Sequence, residues 1–433
     1  MRICVFGVWH LGCVTAACLA QAGHNVVGLD SDTQTIERLR RAEPPLFEPG
    51  LKESIAAGLA SHRLRFETDA ARAVAEAEVV WVTFDTPVDD NDVPQISAVV
   101  DPVTALIGLL PDRCLVLVSS QVPVGTTRRL AEAAARLGRT GLTFGYSPEN
   151  LRLGKAIAVF TQPDRVVVGL QSEADRAKVS ALLAPFTTNI VWMGLEAAEM
   201  TKHAINAFLA ASIAFMNEVA AICEQVGADA KEVERGLKSE QRIGPGAYLS
   251  PGGAFAGGAL ARDIMTLSDL ARHRGVPAAL VSAVRESNAS HHSWALRKLK
   301  EKLVPLAGRR VSLLGLTYKP GTNTLRRSAA VELALALRAE GATVAAFDPA
   351  VRVLPDDLIG RIELMSSAAE ALTGADAAVV ATPWSEFRDL PWSDLIAAMA
   401  SATVVDANWF LAPALRNHPG IAYAAVGLPW PSR

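Results

Sequence analysis

The chain is poor in the features that mark metal proteins, nucleic-acid binders and disulfide-stapled domains. Its five cysteines (Cys4, Cys13, Cys18, Cys114 and Cys223) have no paired spacing and form no CxxC, and its eight histidines are scattered. That usage argues against a disulfide framework and against a zinc site, so no metal is expected. Lysine and arginine number 42 against 45 acidic residues, a formal net charge of -3, so no basic field exists for nucleic acid and any anion has to be met locally. Apolar runs are strand-length rather than the roughly 20 residues of a membrane span, and Met1-Arg2 leads straight into a strand pattern with no signal peptide. These absences predict a cytoplasmic protein with neither nucleic acid nor membrane as partner.

What the chain does have is apolar bulk and glycine placed in patterns. Half of its 433 residues are hydrophobic, enough for two or three ordinary cores. Residues 2–7 (RICVFG) form an apolar run ending on glycine. An amphipathic stretch over 11–22, a stop at Gly23 and a second apolar run ending at Asp30 (NVVGLD) follow, which reads as strand, helix, strand. Gly7 and Gly12 hold the outer positions of a GxGxxG turn, which seats a pyrophosphate on a helix N-terminus, and Asp30 lies at the distance expected of an acid on the adenosine ribose. A carboxylate there repels a 2′-phosphate, favouring NAD over NADP; Trp9 stands where the middle glycine would be.

The same order recurs late in the chain. RRVSLLG (309–315), a helical stretch over 328–340, TVAAFD ending at Asp348 and ADAAVVAT (375–382) repeat the plan of the first hundred residues. Between the halves, residues 196–226 run without Gly or Pro, which predicts one helix of ~45 Å at 1.5 Å per residue. Lys202 and Asn206, four apart, share a face of it. Further helical stretches are expected over 261–274 and 277–303. Before them lies PGGAFAGGALARD (251–263), a run bare enough to bring backbone close to a ligand.

RIGPGAYLSPGGAFAGGALARD (242–263) resembles the active-site segment of the UDP-glucose/GDP-mannose dehydrogenases, whose pattern is RIG, a short variable piece, then GFGGSCFxKD. Aligned back from Asp263, the family's Lys falls on Arg262, its Phe on Leu260 and its nucleophilic Cys on Ala259. Other segments follow in the family's order. AEPPLFEPGL (42–51) resembles IYEPGL, and VVWVTFDTPVDDNDVPQIS (79–97) resembles a strand-then-TP loop that lines the cofactor cleft with Thr83 and Thr86. LVLVSSQVPVGTTRRL (115–130) resembles STVPVGT with Gln121 in place of a Thr. YSPENLRLG (146–154) resembles NPEFLREG, with Glu149 at the first catalytic glutamate and Leu153 at the second. AEMTKHAINAFLA (198–210) puts Lys202 and Asn206 on the family's catalytic Lys and Asn. LTYKPGTNTLRRS (316–328) puts Lys319 on a substrate phosphate and Arg326 near the cofactor, while the family's DGRN has become Asp406-Ala407-Asn408-Trp409.

The resemblance implies an α/β fold: two Rossmann-like, doubly wound parallel-sheet domains joined by a long central helix and a helical middle domain. The expected divisions are 1–194 (NAD-binding), 195–304 (helical, with the active-site loop) and 305–433 (nucleotide-sugar-binding). Cofactor contacts are expected from Gly7, Trp9, His10, Leu11, Gly12, Asp30, Thr83, Thr86, Gln121 and Arg326. Substrate contacts are expected from Tyr248, Leu249, Phe255, Gly257, Gly258 and Lys319, and a homodimer is expected through the central helix.

The family's members oxidise a primary alcohol, trap the aldehyde on Cys, remove a second hydride and hydrolyse the thioester. With Ala259, Gln121 and Leu153, the trap and the groups that handle water have changed together. The first oxidation asks less: a hydride acceptor, a group to take the hydroxyl proton and a donor for the developing alkoxide. Lys202, Asn206 and Asp263 suit those needs, with Glu149 as a further acid or base. The leading expectation is an NAD-dependent nucleotide-sugar dehydrogenase that stops at the aldehyde. A four-electron enzyme working through the aldehyde hydrate and a non-catalytic sugar-nucleotide-binding paralogue are the alternatives.

Overall fold

The computed structural model describes residues 1–87, 89, 94–149 and 151–430. The chain divides into two units, Met1–Ile205 and Asn206–Arg433. Acidic positions 90 and 92 of the 79–97 segment, and Asn150 of the 146–154 segment, lie outside the described residues.

In the first unit, valine- and leucine-rich tetrapeptides buried on both faces become the middle of a parallel sheet. Its strands are β1 (Arg2–Phe6), β2 (Asn25–Leu29), β3 (Leu64–Glu67), β4 (Val79–Val82), β5 (Leu115–Val118), β6 (Thr143–Tyr146), β7 (Val166–Leu170) and β8 (Ile190–Met193). They lie in the order β3-β2-β1-β4-β5-β6-β7-β8, all parallel except the β6–β7 pair. Ile3 pairs with Val26 on one side and Val79 on the other, so the winding reverses beside β1, where open α/β sheets bind ligands. Alternate side chains feed two cores: Ile3 and Val5 meet Leu19 and Ile55 on one face, while Cys4 and Phe6 meet Val103 and Leu130 on the other. Each such aliphatic side chain contributes about 1.5–3 kcal/mol by leaving water.

Helix α1 (His10–Gln21) departs from the expected amphipathic pattern, because ten of its twelve residues are buried. It lies between the sheet and the helices of residues 51–60 and 156–161, so no face is left for solvent. Helix α2 (Thr126–Arg136) follows β5, and α3 (Ala156–Thr161) precedes β7. The long helix α4 (Leu195–Val226) forms as one piece of 32 residues, and the division between the units falls within it. It qualifies the reading of strand-length apolar runs: by length and composition α4 could cross a membrane, with a mean hydropathy of 1.6 over 18 residues. Interspersed alanines raise that average without making an unbroken run of large apolar residues.

The second unit continues with α5 (Ala230–Ser239), α6 (Ala259–His273), α7 (Ala279–His292) and α8 (Trp294–Lys302). The single helical stretch expected over 277–303 is thus broken at Ser293, which sits at φ -83, ψ 5. Local side chains compete for the backbone there: the Ser293 hydroxyl and an Arg297 guanidinium nitrogen both donate to the Ser290 carbonyl, at 2.9 and 2.8 Å. A six-stranded parallel sheet completes the unit: β9 (Arg310–Leu314), β10 (Thr343–Phe347), β11 (Glu363–Leu364), β12 (Ala377–Val380), β13 (Thr403–Val405) and β14 (Ala422–Ala424). Its order, β11-β10-β9-β12-β13-β14, repeats that of β3 to β6 in the first unit, with α9 (Ala329–Ala339) where α1 stands there. The α/β fold with two Rossmann-like sheets and a long central helix is therefore present as expected.

Candidate active site

The turn after β1 is built on two glycines that cannot be replaced. Gly7 has φ +95, and a Cβ on Gly12 would stand 1.9 Å from the Gly7 carbonyl oxygen. Thr83, at the end of β4, donates its hydroxyl to that same oxygen at 2.8 Å. Asp30, just past β2, accepts the Val8 N–H at 3.0 Å on one carboxylate oxygen and the Asp32 N–H at 3.1 Å on the other. Each oxygen keeps a lone pair for a further donor such as a ribose hydroxyl. The first turn of α1 carries no acidic side chain, so its N–H groups are open to an anion. Bare backbone, an uncapped helix start and an acid at the second strand together fit NAD.

The neighbouring residues hold this turn in place. Trp9 occupies the position before α1 without a side-chain capping bond, its indole 45% exposed, and Leu11 is buried in the core. The His10 ring lies 3.0 Å from Glu48, whose buried carboxylate also accepts the N–H groups of Gly154 and Ala156 at the start of α3. Burial alone would raise the Glu48 pKa, but the bonds from Gly154, His10 and Ala156 outweigh it and hold the carboxyl below its ordinary range. Thr86 donates to the Gln121 carbonyl at 2.6 Å.

Also in the first unit, Lys202 is buried on α4 and donates from Nζ to the Glu149 backbone carbonyl at 2.8 Å. The Glu149 carboxylate accepts the Leu151 N–H at 2.7 Å. One turn before Lys202, the fully buried Glu199 accepts the Thr127 N–H and hydroxyl, at 2.8 and 2.7 Å, and the Gly125 N–H. Burial pushes its carboxyl above the usual range despite these bonds. The His203 ring bonds the Val122 carbonyl at 3.0 Å. Glu199 and His203 therefore fasten this part of α4 to the loop that opens α2.

In the second unit, Asn206 on α4 donates to the wholly buried Asp263 on α6. Ala259 is the first residue of α6 and is exposed, following Gly258 at φ +94. Gly258 is exposed, Gly257 and Phe255 are half-buried, Leu249 is buried and Tyr248 is 58% exposed. Lys319 and Arg326 are exposed in the segment between β9 and α9.

No cysteine lies near Ala259 in the sequence. All five cysteines are buried, and burial pushes Cys18 up to about 12 and Cys114 up to about 11, with Cys4 and Cys13 higher still and Cys223 also raised. None is poised as a thiolate nucleophile.

Several polar residues were given no role by the sequence: Glu48, Glu199, Asn217, Asn288, His291 and Asn408. Glu48, Glu199 and Asn408 lay inside quoted motifs, and Asn288 and His291 have the i,i+3 spacing of one helical face, but nothing in the sequence says which backbone group each would meet.

Comparison with known proteins covers nearly the whole chain. Three sequence models of the UDP-glucose/GDP-mannose dehydrogenase family match it: the NAD binding domain over residues 1–187, the central domain over 196–290 and the UDP binding domain over 312–413. A UDP-glucose 6-dehydrogenase of Pseudomonas aeruginosa is 35% identical, the match covering 99% of this chain and 98% of that one. One from Rhizobium meliloti is 33% identical over 99% of this chain and all of its own length (100%). A solved UDP-glucose dehydrogenase from Pyrobaculum islandicum superposes with a TM-score of 0.83 at 30% identity, covering 99% of this chain and 98% of that one.

Proposed function

We propose, from the premise that this chain belongs to the UDP-glucose/GDP-mannose dehydrogenase family, that it oxidises a primary alcohol of a nucleotide sugar to the aldehyde and stops there. The observation that carries this reading is chemical. The first turn of α6, where the family's pattern has cysteine, presents an exposed Ala259, and all five thiols of the chain are buried and held in the protonated form.

NAD, when bound, supplies the hydride acceptor. Lys202 is buried with its Nζ already ordered by the Glu149 carbonyl, suited to donating to the developing alkoxide while the hydroxyl proton passes to water. Asn206 adds a donor one turn along α4, and Asp263 fixes its amide by accepting from Nδ2. Glu149 is a further acid or base. Gly7, Trp9, His10, Leu11, Gly12, Asp30, Thr83, Thr86, Gln121 and Arg326 form the cofactor set, and Tyr248, Leu249, Phe255, Gly257, Gly258 and Lys319 the substrate set. Without a covalent trap, a second oxidation requires the aldehyde hydrate, and neither Gln121 nor Leu153 offers a base to form it.

The substrate is a UDP-linked or related sugar. The chain is read as three functional parts, 1–194, 195–304 and 305–433, acting in the cytoplasm as a homodimer. The deciding experiment supplies UDP-glucose and a panel of other sugar nucleotides with NAD and a hydroxylamine trap. One NADH per sugar and a trapped aldehyde are expected. Two NADH and an acid would establish the hydrate route, and binding of sugar nucleotides without any NADH would establish the non-catalytic reading.

A further inference from the structure

The glycine-rich run before α6 has a definite shape without secondary structure of its own. Among the described residues, none of residues 250–257 makes a backbone-to-backbone hydrogen bond. Five of its polar backbone groups are met by side chains instead. The Gly252 N–H donates to Asn217 Oδ1 at 3.1 Å, the Gly253 N–H to Asn408 Oδ1 at 2.9 Å, and the Phe255 N–H to Asn288 Oδ1 at 2.9 Å. Asn288 Nδ2 returns a bond to the Phe255 carbonyl at 2.9 Å, and His291 Nε2 donates to the Gly252 carbonyl at 2.8 Å.

These side chains come from three places in the second unit. Asn217 lies on α4, eleven residues and about three turns beyond Asn206, so one face of that helix holds both Asp263 and the start of the run. Asn288 and His291 are one turn apart on α7, and Asn408 follows β13. Asn217, Asn288 and His291 are buried. Burial keeps the His291 ring neutral by lowering its pKa, and because its partner is a carbonyl, which only accepts, Nε2 carries the proton. A Cβ at Gly252 would stand 2.9 Å from Asn408 Oδ1, so a side chain there would push that amide off the run.

We propose that Asn217, Asn288, His291 and Asn408 are positioning residues that set the backbone of residues 252–255 in the shape the substrate is read against. A run rich in glycine gives up more conformational freedom on ordering than any other composition, so left to itself it would sample many shapes. Four directed side chains remove that freedom at three successive points before the start of α6. The inference rests on the reading of this run as the substrate face. The four residues act through the loop and touch no reacting atom.

The test uses the full-length protein. Hydrogen–deuterium exchange is followed on peptides spanning residues 248–258 in the wild type and in Asn288→Ala, His291→Ala, Asn408→Ala and the conservative His291→Gln. Steady-state kinetics with UDP-glucose and NAD run alongside. Faster exchange in that peptide is expected for each alanine variant, with KM for UDP-glucose raised roughly tenfold and KM for NAD within about twofold of wild type. His291→Gln, whose amide can still donate to the Gly252 carbonyl, should recover most of the loss. Asn408 is exposed, so its removal leaves the fold intact and keeps the test decisive if a buried variant misfolds. Unchanged exchange in Asn408→Ala, or equal rises in both KM values, would overturn the proposal. Should the wild type fail to turn over UDP-glucose, the substrate assignment falls, while the exchange arm still decides whether the side chains hold the loop.

Discussion

Lys202 and Glu149 touch, yet their chemistry is separable. The contact runs from Lys202 Nζ to the Glu149 backbone oxygen, and the Glu149 carboxylate is engaged by the Leu151 N–H. Replacing Glu149 with alanine keeps the carbonyl that orders Lys202. Lys202→Ala is therefore expected to lower kcat/KM by roughly a hundredfold or more, and Glu149→Ala by less than about tenfold; initial rates of NADH formation measure both. A larger loss in Glu149→Ala would make its carboxylate the principal acid or base. Ala259→Cys would place a thiol on the exposed first turn of α6, where a helix N-terminus favours the thiolate. Intact-mass measurement should then find a covalent sugar adduct without faster turnover, because Gln121 and Leu153 still supply no hydrolytic group. Asp30→Ala should narrow the preference for NAD over NADP in equilibrium binding, and its loss also frees the Val8 N–H that shapes the turn.

At the level of elements, each sheet carries the same device: an acid after its second strand ties down the turn after its first. In the second unit the device is saturated. The buried Asp348 accepts the Leu316 and Thr317 N–H groups at 2.7 and 3.0 Å, the Trp384 indole N–H at 3.1 Å and the Ala350 N–H at 2.8 Å. Burial opposes its charge, but these bonds outweigh burial and hold its pKa below the ordinary value of 3.8. A depressed folded-state pKa means stability that is present above the unfolded value and lost as pH falls through the lower folded one. Asp348→Asn should therefore cost roughly 1–3 kcal/mol at neutral pH, and the difference from wild type should shrink below about pH 4, as thermal melts across that range would register. A constant difference at all pH values would mean that the charge of Asp348 contributes nothing. With its acid engaged on all sides, this second turn differs from the first, where Asp30 meets two backbone donors among the described residues.

For the whole molecule, two properties follow from departures spread along the chain. The proposed stoichiometry of one NADH per sugar rests jointly on Ala259, Gln121 and Leu153, so no single one of them is expected to restore the second oxidation when reverted alone. The proposed dimer rests on α4, where Phe208, Phe215 and Ile222, seven apart, are 70%, 52% and 62% exposed. A stripe of that size at heptad spacing favours burial against another helix. Sedimentation at micromolar concentration should find a dimer, and Phe215→Glu should shift it toward monomer. A monomeric wild type would refute the assignment.

The sequence by itself determined the elements and their order, because strand and helix periods and glycine stops are local: RICVFG, NVVGLD and the uninterrupted 196–226 stretch could each be read from within. It also determined that alanine stands at position 259, since a residue's type does not depend on folding. The partners of the buried polar groups were decided only by tertiary structure. Glu199 reaches Gly125 across 74 positions, Glu48 reaches Ala156 across 108 and Asn408 reaches Gly253 across 155. Nothing local encodes such pairs, because a side-chain acceptor can serve any backbone N–H that the topology brings to it. The break of the last helical stretch at Ser293 has the same origin as the buried α1: propensity proposes a helix, and the neighbours decide where it ends and which faces are covered.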